Sequence, residues 1–126
     1  MNKENKKVEP LLLIPKMESY IQYIIELIMK LPRTEKFSIG TEYKNSIYKT
    51  LENVMLLNKI EAIKRKECLN TIDTLLNTQR IYLRIMQKNR WIDDKKFMVA
   101  MQQIYEIGKI LGGLMKYYAK DNQKSI

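Results

Sequence analysis

The chain has 126 residues, with Lys+Arg 23 against Asp+Glu 14, no histidine and a formal net charge of +9. That length is one domain's worth, and an apolar content of 45% builds a core without disulfide staples. The absence of histidine excludes the commonest general acid/base near neutral pH, His-paired serine or cysteine nucleophiles, and Glu-x-x-His di-iron sites.

Met1 to Ile14 reads as a charged, flexible leader, basic over Met1–Lys7. Four apolar residues, Leu11 to Ile14, lie between Pro10 and Pro15, too few for a signal peptide. The first helix is expected from Pro15, which suits a first helical turn because its missing N–H would be unpaired there anyway. Met17, Tyr20, Ile21, Ile24, Ile25, Ile28 and Leu31 recur at three- and four-residue spacing, and Pro32 ends the run. Gln22, Glu26 and Lys30 interrupt it, so it does not read as a membrane span.

Thr34 is the expected N-cap of a second helix reaching Lys59, with Tyr43, Ile47, Leu51, Val54 and Met55 inward and Gly40 on the same face. The link Ile60–Ile63 is short enough to force an antiparallel return. The third helix, Lys64–Arg90, would bury Cys68, Leu69, Ile72, Leu75, Leu76, Leu83 and Met86. Asn89–Asp94 makes the next break, with Asp93 or Asp94 as cap. The fourth helix runs to Ala119 through Phe97, Met101, Ile104, Tyr105, Leu111 and Met115, and residues 120–126 form a polar tail. The expected fold is all-α, an antiparallel up-down-up-down four-helix bundle over residues 15–119.

Chemistry has little to work with. No Gly-x-x-x-x-Gly-Lys-Ser/Thr loop occurs. A carboxylate-only magnesium site is the remaining route, and its nearest acids, Asp93 and Asp94, read better as a cap. No enzyme activity, cofactor or metal is expected. Cys68 stands alone, so no internal disulfide forms and nothing argues for secretion. A cytoplasmic location is expected.

The third helix carries seven Lys/Arg against two acids. Arg80, Arg84 and Lys88 stack at a spacing of four, and Lys66 and Asn77 fall near the same line. An arginine fork bonds two phosphate oxygens, so this flank is a candidate surface for nucleic acid or another anionic partner. Lys109 and Lys116, with Arg33 and Lys36, would extend it; Trp91 and the tyrosines offer stacking surfaces. The competing reading is a solvated helix face.

Ile81 and Ile85 lie opposite the apolar centre of the third helix, on an uncharged strip with Thr71, Thr74 and Thr78. Tyr23, Met29, Val99, Ile110 and Leu114 also sit off their helices' apolar centres. Together they point to a subunit contact through Thr78, Ile81 and Ile85, hence a homo-oligomer. Gly108 and Gly112, four apart inside the fourth helix, open a groove for close helix packing; each glycine costs about 1 kcal/mol against alanine.

Three segments carry a resemblance. Leu31-Pro32-Arg33 followed by Phe37-Ser38-Ile39-Gly40 resembles the first junction of the Avd family, the accessory variability proteins of diversity-generating retroelements. Thr78-Gln79-Arg80-Ile81-Tyr82-Leu83-Arg84 resembles its arginine-bearing third helix, and Glu106-Ile107-Gly108-Lys109-Ile110-Leu111-Gly112-Gly113 its glycine-containing last helix. A sister group, encoded in intervening sequences of large ribosomal RNA genes, shares the fold and typically shows Asn-Ile-Ala-Glu-Gly in helix two. Here that region reads Leu51-Glu52-Asn53-Val54-Met55, which favours the Avd side.

The resemblance implies a homopentameric ring that binds the retroelement's reverse transcriptase and template RNA in support of mutagenic cDNA synthesis. Arg80 and Arg84 occupy the matching positions of the basic helix; Lys88, Lys66, Lys109 and Lys116 extend it by geometry. The alternatives are an intervening-sequence-type bundle that binds nucleic acid without a polymerase partner, and a purely structural oligomer.

Overall fold

In a computed structural model the backbone is described for residues 3–124 and the side chains for residues 12–119. The expected polar tail therefore lies outside the described side chains, as does most of the expected leader. The elements in order are α1 (Lys3–Met29), α2 (Arg33–Lys36), α3 (Ile39–Leu56), α4 (Ala62–Lys88) and α5 (Asp94–Lys124). The four long helices pack in a cycle, α1 on α3, α3 on α4, α4 on α5 and α5 on α1. Short links join them, so neighbours run antiparallel and the architecture is a four-helix bundle.

α1 does not start at Pro15. The buried stripe Leu13, Met17, Tyr20, Ile24, Leu27, Ile28 and Leu31 begins before that proline, and burial of Leu13 carries the helix through it. α1 closes with tight bonds from Lys30 N to Leu27 O and Leu31 N to Ile28 O, and Pro32 then blocks continuation.

The second expected helix is two. α2 is one turn, begun on the Pro32 carbonyl, and Phe37-Ser38 separate it from α3. Thr34 is not a cap; it sits inside α2. Gly40 explains the abrupt junction. A Cβ there would lie 2.9 Å from Ile28 Cγ2 and 3.3 Å from the Glu35 carbonyl oxygen, so only glycine lets α3 approach α1 this closely. In α3 Tyr43, Ile47 and Val54 are buried as expected, Leu51 is half-buried and Met55 is exposed. Ser46 and Thr50 take inward positions instead.

At the α3–α4 turn, Arg65 donates from Nε to the Leu57 carbonyl at 3.1 Å and lies over the Tyr118 ring at 4.9 Å. This arginine ties three elements together. α4 buries Cys68, Leu69, Ile72, Leu76, Leu83 and Met86, with Leu75 only half-buried. It ends on a left-handed residue, Arg90 (φ 61), with Arg90 N bonded to Gln87 O and Trp91 N to Met86 O. That pair of bonds is a Schellman closure, whose left-handed position glycine normally fills. Arginine there costs about 1–2 kcal/mol.

Asp93 caps α5, its Oδ1 accepting from Lys96 N at 2.8 Å. The inward line of α5 is Ala100, Ile104, Ile107, Leu111, Leu114 and Tyr118. Leu114, expected off the centre, is in the core. Tyr105, expected inside, falls about 100° from Ile104 and is exposed.

Gly40→Ala should lower unfolding stability by about 1–2 kcal/mol, since Ile28 or the α2 backbone must move. Urea unfolding followed by circular dichroism checks this; an unchanged midpoint would refute the close approach.

Candidate nucleic-acid interface

The rotation of α4 decides which of its residues face solvent, and a buried polar cluster sets that rotation. Gln79 is fully buried in the same line as Leu76 and Leu83. Its Nε2 donates to Ser46 Oγ (3.0 Å) and Thr50 Oγ1 (2.9 Å), and its Oε1 accepts from the Tyr20 hydroxyl at 2.7 Å. Tyr20 gives its only proton to Gln79, so the Tyr43 hydroxyl, 2.8 Å away, donates to Tyr20. Thr50 in turn donates to the Ser46 carbonyl at 2.8 Å. α1, α3 and α4 thus meet in one satisfied network. Burial drives the Tyr20 phenol far above its ordinary range, against the opposing pull of the Tyr43 hydrogen bond and the Arg80 charge. Burial likewise raises Tyr43, and the neighbouring Tyr20 adds to it.

With Gln79 inward, Arg80 and Thr78 fall on opposite shoulders of α4 and Ile81 and Ile85 point outward. Arg80 is half-buried; its Nη1 donates to Asn77 Oδ1. Its guanidinium lies across α5 at Gly108, where a Cβ would sit 3.5 Å from Nη2. Arg84 and Lys88 continue this line and are exposed. Thr74, Asn77, Thr78, Arg80, Ile81 and Arg84 line a shallow depression of about 350 Å³ that joins the basic flank to the Thr/Ile strip. Ile81 is 47% exposed and Ile85 39%, while Thr78 is half-buried. Met29 and Val99 are also exposed, and Tyr23 and Ile110 are half-buried against the core.

The remaining basic candidates lie elsewhere along the α4–α5 pair. Lys66 is fourteen residues before Arg80, about 21 Å along the helix axis. It borders a small apolar cavity of about 60 Å³ with Leu69, Met115 and Tyr118, away from the arginines. Lys109 follows Gly108 and sits over the exposed Tyr105 ring at 5.7 Å. Lys116 is exposed two turns further on the same face of α5. No described atom lies within 4 Å of a Cβ built on Gly112, so no helix of this chain fills the expected groove there.

Among the described residues the ion pair present is Lys16–Glu106 at 3.2 Å. Hydrogen bonds from Lys16 and then Gln102 hold the Glu106 carboxyl below its ordinary range. Arg80, Arg84, Lys88, Lys66 and Lys116 have no such partner among the described residues, while the Lys109 charge also helps to lower Glu106. No group of three acidic or cysteine side chains among the described residues is placed to hold a metal ion, and no helix is long and apolar enough to cross a membrane.

The sequence reading assigned no role to Gln79, Ser46 or Thr50, and the structure buries all three. The signal was present: Gln79 falls on the four-three rhythm between Leu76 and Leu83.

The fold is a four-helix bundle in which Arg80 and Arg84, without an ion-pair partner among the described residues, lie beside the exposed Ile81 and Ile85. A family model described as bAvd-like matches residues 11–118, and the chain belongs to that family. Comparison with curated proteins gives no match.

The buried phenols predict alkaline sensitivity. A folded-state value raised above about 10 means the folded chain keeps protons that the unfolded chain loses. That stability is complete below about pH 10 and declines as pH rises beyond it. The thermal midpoint should fall above about pH 10, and fall less steeply in Tyr20→Phe/Tyr43→Phe. Equal slopes in both proteins would contradict it.

Proposed function

We propose that this chain is the non-catalytic accessory protein of a diversity-generating retroelement. It binds the element's reverse transcriptase and template RNA through the basic flank of α4 and supports mutagenic cDNA synthesis. The observation that carries the reading is the bAvd-like match over residues 11–118, on a chain whose Arg80 and Arg84 have no ion-pair partner among the described residues. Arg80 is the anchored contact, held by Asn77 and seated over Gly108; Arg84 and Lys88 are the extended ones. Contacts of this type grip phosphate and leave sequence choice to other parts of the complex.

The same proposal includes a homopentameric ring. The exposed Ile81 and Ile85, with Thr78, form the apolar part of the subunit contact. Closure repeats the basic flank around the ring, so several modest patches act on one long polyanion and raise its effective affinity.

Two measurements test this. Binding of a labelled template-RNA transcript should weaken steeply with salt. Arg80→Ala plus Arg84→Ala should cost about tenfold at low salt and flatten the log–log salt slope by about one to two units. Absence of RNA binding at low salt would remove the nucleic-acid role. Light scattering should give five chain masses for the protein and a smaller species for Ile81→Lys/Ile85→Lys; a monomeric native chain would overturn the ring.

A further inference from the structure

The antiparallel topology brings two connections to the same end of the bundle: residues 30–38, between α1 and α3, and residues 89–93, between α4 and α5. They lie side by side because α1 packs on α5 and α3 on α4. Burial, with help from the Asp93 carboxylate, raises the Tyr23 phenol, so the second connection lies within electrostatic reach of α1.

This end concentrates unpartnered charge. Residues 29–38 and 88–98 carry seven basic residues, Lys30, Arg33, Lys36, Lys88, Arg90, Lys95 and Lys96, against Glu35, Asp93 and Asp94. All three acids are engaged locally. Glu35 Oε2 accepts from Ser38 Oγ, Asp93 Oδ1 from Lys96 N, and Asp94 Oδ1 from Gln87 Nε2. None of the seven bases forms an ion pair among the described residues.

Two features go beyond charge. Phe37 is 74% exposed although the core lies one residue-turn away. Arg90 occupies a left-handed position where glycine is the unstrained choice. Strain kept at an exposed cationic side chain points to a use for that side chain.

We propose that this end of the bundle is a second nucleic-acid site, taking single-stranded RNA or DNA with a base stacked on Phe37 and phosphates held by Arg33, Lys36 and Arg90. It rests on the nucleic-acid reading above. An exposed ring interleaved with bases suits a single strand, whose unpaired bases present a free face. The end spans about two helix diameters, roughly 20 Å, which accommodates a few nucleotides, and the single turn α2 is too short to fill a duplex groove.

The test is fluorescence anisotropy on the full chain at low salt, with a labelled oligouridylate and an RNA duplex of equal length. Phe37→Ala should weaken single-strand binding about tenfold, leave duplex binding unchanged and leave the thermal midpoint unchanged. Arg90→Gly should weaken single-strand binding while raising the thermal midpoint, a combination that a structural role does not give. If both variants bind the single strand as the native chain does, while Arg80→Ala/Arg84→Ala binds less, this site fails and the α4 flank stands. If the native chain binds neither nucleic acid, both readings fail together. If Phe37→Ala instead abolishes binding to phosphatidylserine vesicles with the single strand unaffected, the end is a lipid surface and the proposal is overturned.

Discussion

The hydrogen bond from Tyr20 to Gln79 Oε1 is the constraint on which the rest of the bundle's surface depends. A buried primary amide left half-satisfied costs about 1–3 kcal/mol per missing partner. α1 must therefore deliver Tyr20, and α3 Ser46 and Thr50, to one level of the core. An apolar residue at 79 would tolerate small rotations and slides of α4, because dispersion contacts are not directional. The amide tolerates neither. With Gln79 locked toward the axis, Arg80 is fixed on the shoulder facing α5 and Ile81 on the outer side. The division of α4 into a core seam, an apolar strip and a cationic flank follows from one polar residue in the interior.

Helical periodicity made the four long segments legible, because each buries a stripe at three- and four-residue spacing across many turns. Where local chemistry competes with burial, the outcome depends on partners distant in sequence. Pro15 reads as a helix start, yet Leu13 is wanted in the core and α1 runs through the proline. Thr34 reads as a cap, yet Gly40 draws α3 so close to α1 that the chain first makes the separate turn α2. Gln79, Ser46 and Thr50 had no role in the sequence reading, because only the meeting of three helices gives them an interior one. The arginine flank was legible because i, i+4 spacing needs no tertiary information. Its geometry was not: Arg80 is anchored and half-buried, Arg84 is free, and Lys66 belongs to the other end of the bundle.

Electrostatically the bundle separates structural from available cations. Arg65 is absorbed by the Leu57 carbonyl and the Tyr118 ring, and Lys16 by Glu106. The flank and the connection-bearing end hold no ion pair among the described residues, and Lys88 belongs to both: it closes the flank at the last turn of α4, next to the link that carries Arg90. A single strand seated on Phe37 would meet the flank through Lys88, passing the exposed carboxylates of Asp93 and Asp94. Asp93 and Asp94, the acids of that link, are already engaged with Lys96 N and Gln87.

Departures from local preference fall on this same surface. Arg90 holds a conformation that glycine would take freely. Gly108 and Gly112 occupy helix positions where alanine would favour the helix by about 1 kcal/mol each, and neither glycine is required by another helix of this chain. At Gly108 the observed neighbour is the Arg80 guanidinium; at Gly112 it is open space. These departures from local preference lie beside cations that have no ion-pair partner among the described residues. At Gly108 a Cβ would meet the Arg80 guanidinium at 3.5 Å, an ordinary contact, so the packing within this chain tolerates alanine there and does not account for the glycine.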